Sequence, residues 1–194
     1  MLTGEGTGEQ REAASATSRR PRRRARRLVI AALAALILFA AATARLFAWP
    51  AQGMPAHVSA IVMLAGPGDR LPAAVRLARA QRAPVLVVSR GHEGYGGPCP
   101  ARPPHVRLIC FEPDPATTQG EAEVVGRLAH RYHWQSVALV TTRAQDTRAR
   151  LRVSRCFGGR IYVVTVPQPW YDWPYQLGYE WAALVKALVI QRAC

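Results

Sequence analysis

Seventeen consecutive uncharged residues, Leu28 to Ala44, directly follow a nine-residue run, Arg19 to Arg27, in which seven are Arg. At ~1.5 Å per residue an α-helix over that stretch is ~25 Å long, and extending it to Trp49 gives ~33 Å, enough for a hydrocarbon core of ~30 Å. Arg45 can reach back to the headgroups, and Trp49 fits an interfacial aromatic. The Arg run is then a positive-inside anchor, which predicts a single-pass protein of the cell membrane. Its N-terminus is expected in the cytoplasm, residues 28–49 in the lipid bilayer, and everything from Pro50 outside. Ala42-Thr43-Ala44 also resembles a small-residue cleavage site, so a secretory signal stays open as an alternative. Residues 1–18 are small and polar, and residues 1–27 are expected to be a disordered basic tail.

Part of the charge follows from that topology. The chain carries 26 Lys+Arg against 12 Asp+Glu, a net +14, and Lys186 is its one Lys. Residues 1–27 hold +5 of this and residues 50–194 hold +8. The densest basic run is explained by the membrane, and no nucleic-acid motif accompanies it, so no nucleic-acid partner is expected. With 49% hydrophobic residues among 194, the chain is too apolar to be disordered and long enough for one ordinary domain.

After a short linker, residues 50–57, the pattern alternates. Apolar runs of strand length occupy 60–65, 84–89, 106–111, 137–141 and 161–166. Helical spacing follows in between, as at Leu71, Ala74, Val75 and Ala78, over 117–132 and 143–156, and again over 175–192. Continuous Val/Ile/Leu strands alternating with helices indicate a parallel sheet covered on both faces. The expected fold for residues 58–194 is therefore α/β, a doubly wound, Rossmann-like parallel sheet flanked by helices and preceded by one transmembrane helix.

In such a sheet, ligands sit beyond the carboxyl ends of the strands. That rule selects Gly66, Gly68, Asp69 and Arg70 after the first strand, Ser89 and Gly91 after the second, with His92 and Glu93 next to them. It selects Glu112, Thr118 and Glu121 after the third, and Thr141, Thr142, Gln145 and Arg148 after the fourth. Gly66 and Gly68 let the backbone approach an anion at a helix N-terminus, and Arg70 offers a bidentate donor at the same mouth. The spacing is neither G-x-G-x-x-G nor a Walker P-loop. Thr117 or Thr118 can cap the following helix, and Thr118 with Glu121 has capping-box spacing. Thr141, Thr142 and the adjacent helix N–H groups could hold a phosphate, with Arg148 as clamp. Replacing Arg148 is then expected to cost binding and spare the fold. Gln145, Arg148 and Arg152 share one helical face, while Arg150 and Arg155 read as solvated.

The order of these motifs resembles the YdcF/SanA/ElyC-like family of bacterial envelope proteins. The matching stretches are IVMLAGPGDRL (Ile61 to Leu71), VLVVSRG (Val85 to Gly91), FEPDPATTQGEA (Phe111 to Ala122) and VTTRAQDTRA (Val140 to Ala149). Glu112, Thr118 and Arg148 match the family's pattern and Glu121 stands at its Asn position. Arg90 replaces a Gly, Pro115 stands at a Ser position, Gly120 at a Glu position, and Gln145 where the family has His. An amide does not titrate, so Gln145 cannot take over acid–base work from a His. The resemblance covers residues 58–190. It implies a membrane-anchored envelope protein with a polar cleft, and S-adenosylmethionine or another nucleotide-like molecule as a candidate ligand.

Four cysteines allow three pairings. Outside the cytoplasm they should be oxidised, and Cys99–Cys110, bracketing a Pro-rich loop, with Cys156–Cys194 is the favoured set. His130 and His133 lack a third ligand, so no metal is expected. Packing of Trp170 to Tyr175, Tyr179 and Trp181 into the core is the default for the terminal helix. Neither G-x-S-x-G nor H-E-x-x-H is present. Two functions remain. One is binding of an anionic small molecule or lipid carrier, phosphate-bearing or nucleotide-like, with or without turnover, in cell-wall or lipid-carrier metabolism. The other is a catalytically silent binding or scaffold protein.

Overall fold

The computed structural model describes residues 8–91 and 98–194, with side chains from residue 23 onward. His92 and Glu93 lie outside the described residues. The chain divides into two compact units, Met1–Ala44 and Arg45–Cys194.

The first unit is helix α1, Gly8–Thr43. It begins well before Leu28, so the basic stretch from Gly8 is helical where the sequence reading expects disorder. Ala, Arg, Gln and Glu are good helix formers and dominate that stretch. From Leu28 to Phe39 its large apolar side chains are exposed, Leu28 at 71% and Ile37 at 67%. One helix among the described residues, Arg23–Ala48, is long and apolar enough to cross a membrane, and a signal sequence has the same character.

The second unit contains a five-stranded parallel sheet in the order β3-β2-β1-β4-β5. Its strands are β1 (Ala60–Met63), β2 (Val85–Ser89), β3 (Arg107–Phe111), β4 (Ser136–Thr142) and β5 (Arg160–Val166). Helices α2 (Arg70–Arg79), α3 (Thr118–Tyr132) and α4 (Arg143–Cys156) connect them, and α5 (Trp173–Val189) closes the chain. Central β1 is fully buried, with Ile61 in register between Leu86 and Ala138. Side chains alternate across the pleat. Ala60, Val62 and Leu64 accordingly join α3 and α4 residues such as Val125 and Val153 in one core. Ile61 and Met63 join Ala74 and Ala78 of α2 in the other. Two cores on two faces make the sheet doubly wound, as expected from its uninterrupted apolar strands.

Strand order reverses between β1 and β4, so their carboxyl ends diverge into a crevice at the switch point. Residues 50–57 are held by the domain, with Arg82 donating from Nε to the Ala56 carbonyl at 2.6 Å and Gly53 bridging to Val163. Disulfides join Cys99 to Cys110 and Cys156 to Cys194. Three expectations are corrected. Trp170, Tyr171 and Tyr175 are not core but 83%, 66% and 72% exposed. Arg150 is not solvated but pairs with Asp146 and donates to the Ile161 carbonyl. Arg155 donates to the carbonyls of Ala187 and Gln191, tying α4 to the end of α5.

Candidate functional site

A cleft of about 580 Å³ opens at the switch point. Its floor is the loop after β1 and the first turns of α3 and α4, and its far wall is α5. Of the residues selected from sequence, Gly66, Arg70, Gly91, Thr118, Glu121, Gln145 and Arg148 line it together.

Arg70, at the start of α2, folds back under its own loop and is only 2% exposed. Its Nε donates to the Pro67 carbonyl at 2.8 Å, and Nη1 to the carbonyls of Leu64 and Ala65 at 3.1 and 2.7 Å. Gly66 makes this possible, since its φ is +136° and a Cβ there would lie 2.8 Å from Nη2 of Arg70. Across the cleft, Nη1 also donates to Gln145 Oε1 at 2.8 Å, and Nη2 to Thr142 Oγ1 at 3.3 Å. Gln145 is a hub. Its Oε1 accepts from Thr141 Oγ1 at 3.0 Å, while its Nε2 donates to Thr118 Oγ1 at 3.2 Å. The amide thus couples the loop after β1 to α3 and β4, using both its donor and its acceptor ends.

Arg148 stands on the same face of α4. Its Nε and Nη2 donate to the two carboxylate oxygens of Glu180 at 2.7 and 2.8 Å, and Nη1 donates to Thr118. Both partners are buried, at 8% and 1% exposure. The fork-to-fork pair joins α4 to α5, so the reading of Arg148 as a free clamp that could be removed without touching the fold is corrected. Its guanidinium also lies over the Tyr179 ring, 5.5 Å from the centroid. Burial opposes its charge, but the bonds and charge of Glu180 prevail and raise its pKa.

Glu121 differs in kind. Thr117, not Thr118, caps α3 by accepting from the Gly120 N–H, so Glu121 is released from the capping-box role. Its Oε1 instead accepts from the Ala65 N–H at 2.7 Å, and the residue is 3% exposed. Burial pushes its pKa up, against the Ser89 hydroxyl, the Ala65 N–H and the charges of Arg70 and Arg148, which pull it down. The fully buried Ser89 hydroxyl lies beside it without a well-formed hydrogen bond of its own. Burial pulls Arg70 down to about 10, which leaves it a cation at neutral pH. Among the described residues no carboxylate is within ion-pair distance of Arg70.

The other expected residues fall outside the lining. Glu112 is exposed and pairs with Arg90 at 3.1 Å. Asp69 is exposed and makes no side-chain cap for α2. Gly68 packs beside β5, where a Cβ would meet the Pro167 carbonyl at 3.1 Å. Thr141 and Thr142 are turned inward onto Gln145 and Arg70, not outward toward a phosphate. Sequence reasoning missed the far wall, formed by Tyr175, Gln176, Tyr179 and Glu180 of α5 with Asp172 just before it. A signal existed for Glu180, since it is the only acid within the largely apolar Trp173–Val189 helix, where Lys186 is the only other charge.

Comparison with family models, with curated proteins and with solved structures finds no match to this chain.

Proposed function

We propose that this is a membrane-anchored envelope protein whose extracytoplasmic domain binds an anionic, phosphate-bearing or nucleotide-like ligand at the switch-point cleft. One observation carries the reading. Among the described residues, every hydrogen-bond partner of Arg70, a buried cation at the cleft, is a neutral carbonyl, amide or hydroxyl oxygen. The nearby Glu121 carboxyl, which could have balanced it, is biased toward its neutral form by burial. A buried charge lacking a bonded counterion is expensive, and an anion entering the cleft supplies one. Tyr175 and Tyr179, stacked with ring centroids 6.3 Å apart on the facing wall, suit a base or sugar face. On this reading the chain is a YdcF/SanA/ElyC-like protein, and lipid-carrier or cell-wall metabolism is where its ligand belongs.

The test is the thermal midpoint of the detergent-solubilised full chain, titrated with inorganic phosphate, pyrophosphate, a nucleoside diphosphate and S-adenosylmethionine. A ligand that binds only the folded state raises the midpoint with the logarithm of its concentration. At least one phosphate-bearing probe or S-adenosylmethionine should do so. Tyr175→Ala should keep the unliganded midpoint and weaken the nucleotide-like probes selectively, while Arg70→Gln should abolish every shift. No shift with any probe overturns the assignment.

A second reading, a binder without turnover, is favoured by Gln145. Its amide cannot titrate and is held on three partners. Gln145→His tests it. Arg70 would hold such an imidazole below its ordinary pKa and so keep it neutral. A turnover that appears only in this variant identifies the native chain as a binder.

A further inference from the structure

Helix α5 buries a narrow strip, Glu180, Leu184 and Ala187. The opposite side carries Tyr175, Tyr179, Val185 and Val189 at 72%, 49%, 52% and 60% exposure, with Ala182 between them. Trp170 and Tyr171 continue that surface beyond the helix start, and Lys186 is its only charge within α5. A contiguous apolar face of this kind marks an interaction site. Where the chain enters the domain indicates what covers it. Phe47 is fully buried edge-on against Trp181 of α5, with ring centroids 5.4 Å apart, and Thr147 of α4 donates to the Leu46 carbonyl. Phe47 is three residues past Ala44, a reach of at most about 11 Å. A bilayer holding Leu28 to Ala44 therefore leaves the part of α5 on which Phe47 packs no more than about two nanometres of chain reach from its surface.

We propose that the outward face of α5 docks on that lipid surface as an interfacial amphipathic helix. Its apolar side chains enter the acyl boundary, and its tyrosines and Trp170 sit at headgroup level, where aromatic residues concentrate. Lys186 and Arg192, exposed at the C-terminal end, meet anionic headgroups. Tyr175 and Tyr179 also wall the cleft, so the same docking sets the cleft mouth at the headgroups. The inference rests on a membrane span that ends near Ala44, short of the Trp49 expected from sequence because Leu46 and Phe47 are held by the domain, and is independent of which ligand the cleft takes.

The test uses the full chain in phosphatidylglycerol/phosphatidylethanolamine nanodiscs. Spin labels go on Ala182→Cys and Val189→Cys, with Arg79→Cys on α2 as the aqueous control and Leu36→Cys as the membrane control. Oxygen should relax labels 182, 189 and 36 several-fold more than a water-soluble nickel chelate does, and label 79 should show the reverse. Nickel accessibility at 182 and 189 equal to that at 79 overturns the docking. So does shielding from both colliders together with short inter-copy distances, which would assign the face to a second copy of the chain. A nickel-accessible label 36 removes the span, and the inference with it.

Discussion

Arg148 and Glu180 lie 32 residues apart, and neither has another ionic partner within bonding distance among the described residues. Removing one leaves the other buried and uncompensated, which typically costs about 3–5 kcal/mol. Arg148→Ala should therefore lower the urea midpoint strongly. The double variant Arg148→Met/Glu180→Leu should lose less than either single change, because no orphaned charge remains. Strictly additive losses would show that the two side chains are not coupled. Glu121 makes the opposite case, since it is destabilising when ionised. Its folded pKa is raised above the ordinary 4.5, so its contribution is fully present below pH ~4.5 and is lost as pH rises through the folded value. Asp146, also raised by burial, adds in the same direction. Glu121→Gln keeps an acceptor for the Ala65 N–H and cannot ionise. Its midpoint relative to wild type should climb as pH is raised from 4 upward, and a flat difference would mean that Glu121 ionises as easily in the fold as in water.

Elements were legible where one physical force dominates. All five strands appear within a residue or two of their apolar runs, because a strand covered on both faces has little freedom in composition. The Gly66 loop, α3 and α4 fell at the same mouth for the same reason, since parallel topology alone brings strand ends together. What the donors at that mouth bond to was not legible. Arg70 and Arg148 look like free anion clamps in sequence, but their partners are set by how α2, α4 and α5 cross, and most of their donors are used inside the protein. The α5 aromatics were misread because periodicity marks an apolar face without saying whether protein or something else covers it. Gly120 carries a similar hidden constraint, since a Cβ there would meet the Pro115 carbonyl at 2.1 Å and push the loop off the start of α3. The cysteine pairing could be favoured from sequence because each partner ends or brackets an element. By chain entropy, loops of 11 and 38 residues predict about 3 and about 4 kcal/mol respectively. Cys99→Ser/Cys110→Ser and Cys156→Ser/Cys194→Ser should lower the denaturation free energy in that order. Four free thiols in membrane-extracted material would overturn both the pairing and the oxidising compartment.

At the scale of the molecule, two independent features point to the same orientation. One is the Arg run on the N-terminal side of the apolar stretch, which the positive-inside rule keeps in the cytoplasm. The other is the pair of disulfides on its C-terminal side, a bond type that persists where the surroundings are oxidising. Neither uses the other's evidence, and a chain oriented the opposite way would violate both at once. We therefore expect the C-terminus outside the cytoplasm. Alkaline phosphatase fused after Cys194 should be active, and green fluorescent protein at the same point should stay dark. The reverse pattern would overturn the orientation. Replacing Arg22, Arg23, Arg24, Arg26 and Arg27 with Gln should move part of the population toward the reverse pattern, because the bias acts within about 15–20 residues of the span. The intact mass of membrane-extracted protein separates anchor from signal. Retention of residues 1–44 keeps the domain tethered three residues from Phe47, whereas cleavage after Ala44 would release it with Arg45 at its new N-terminus. The anchored form is expected, since the apolar run exceeds the ~7–15 residues usual for a signal core.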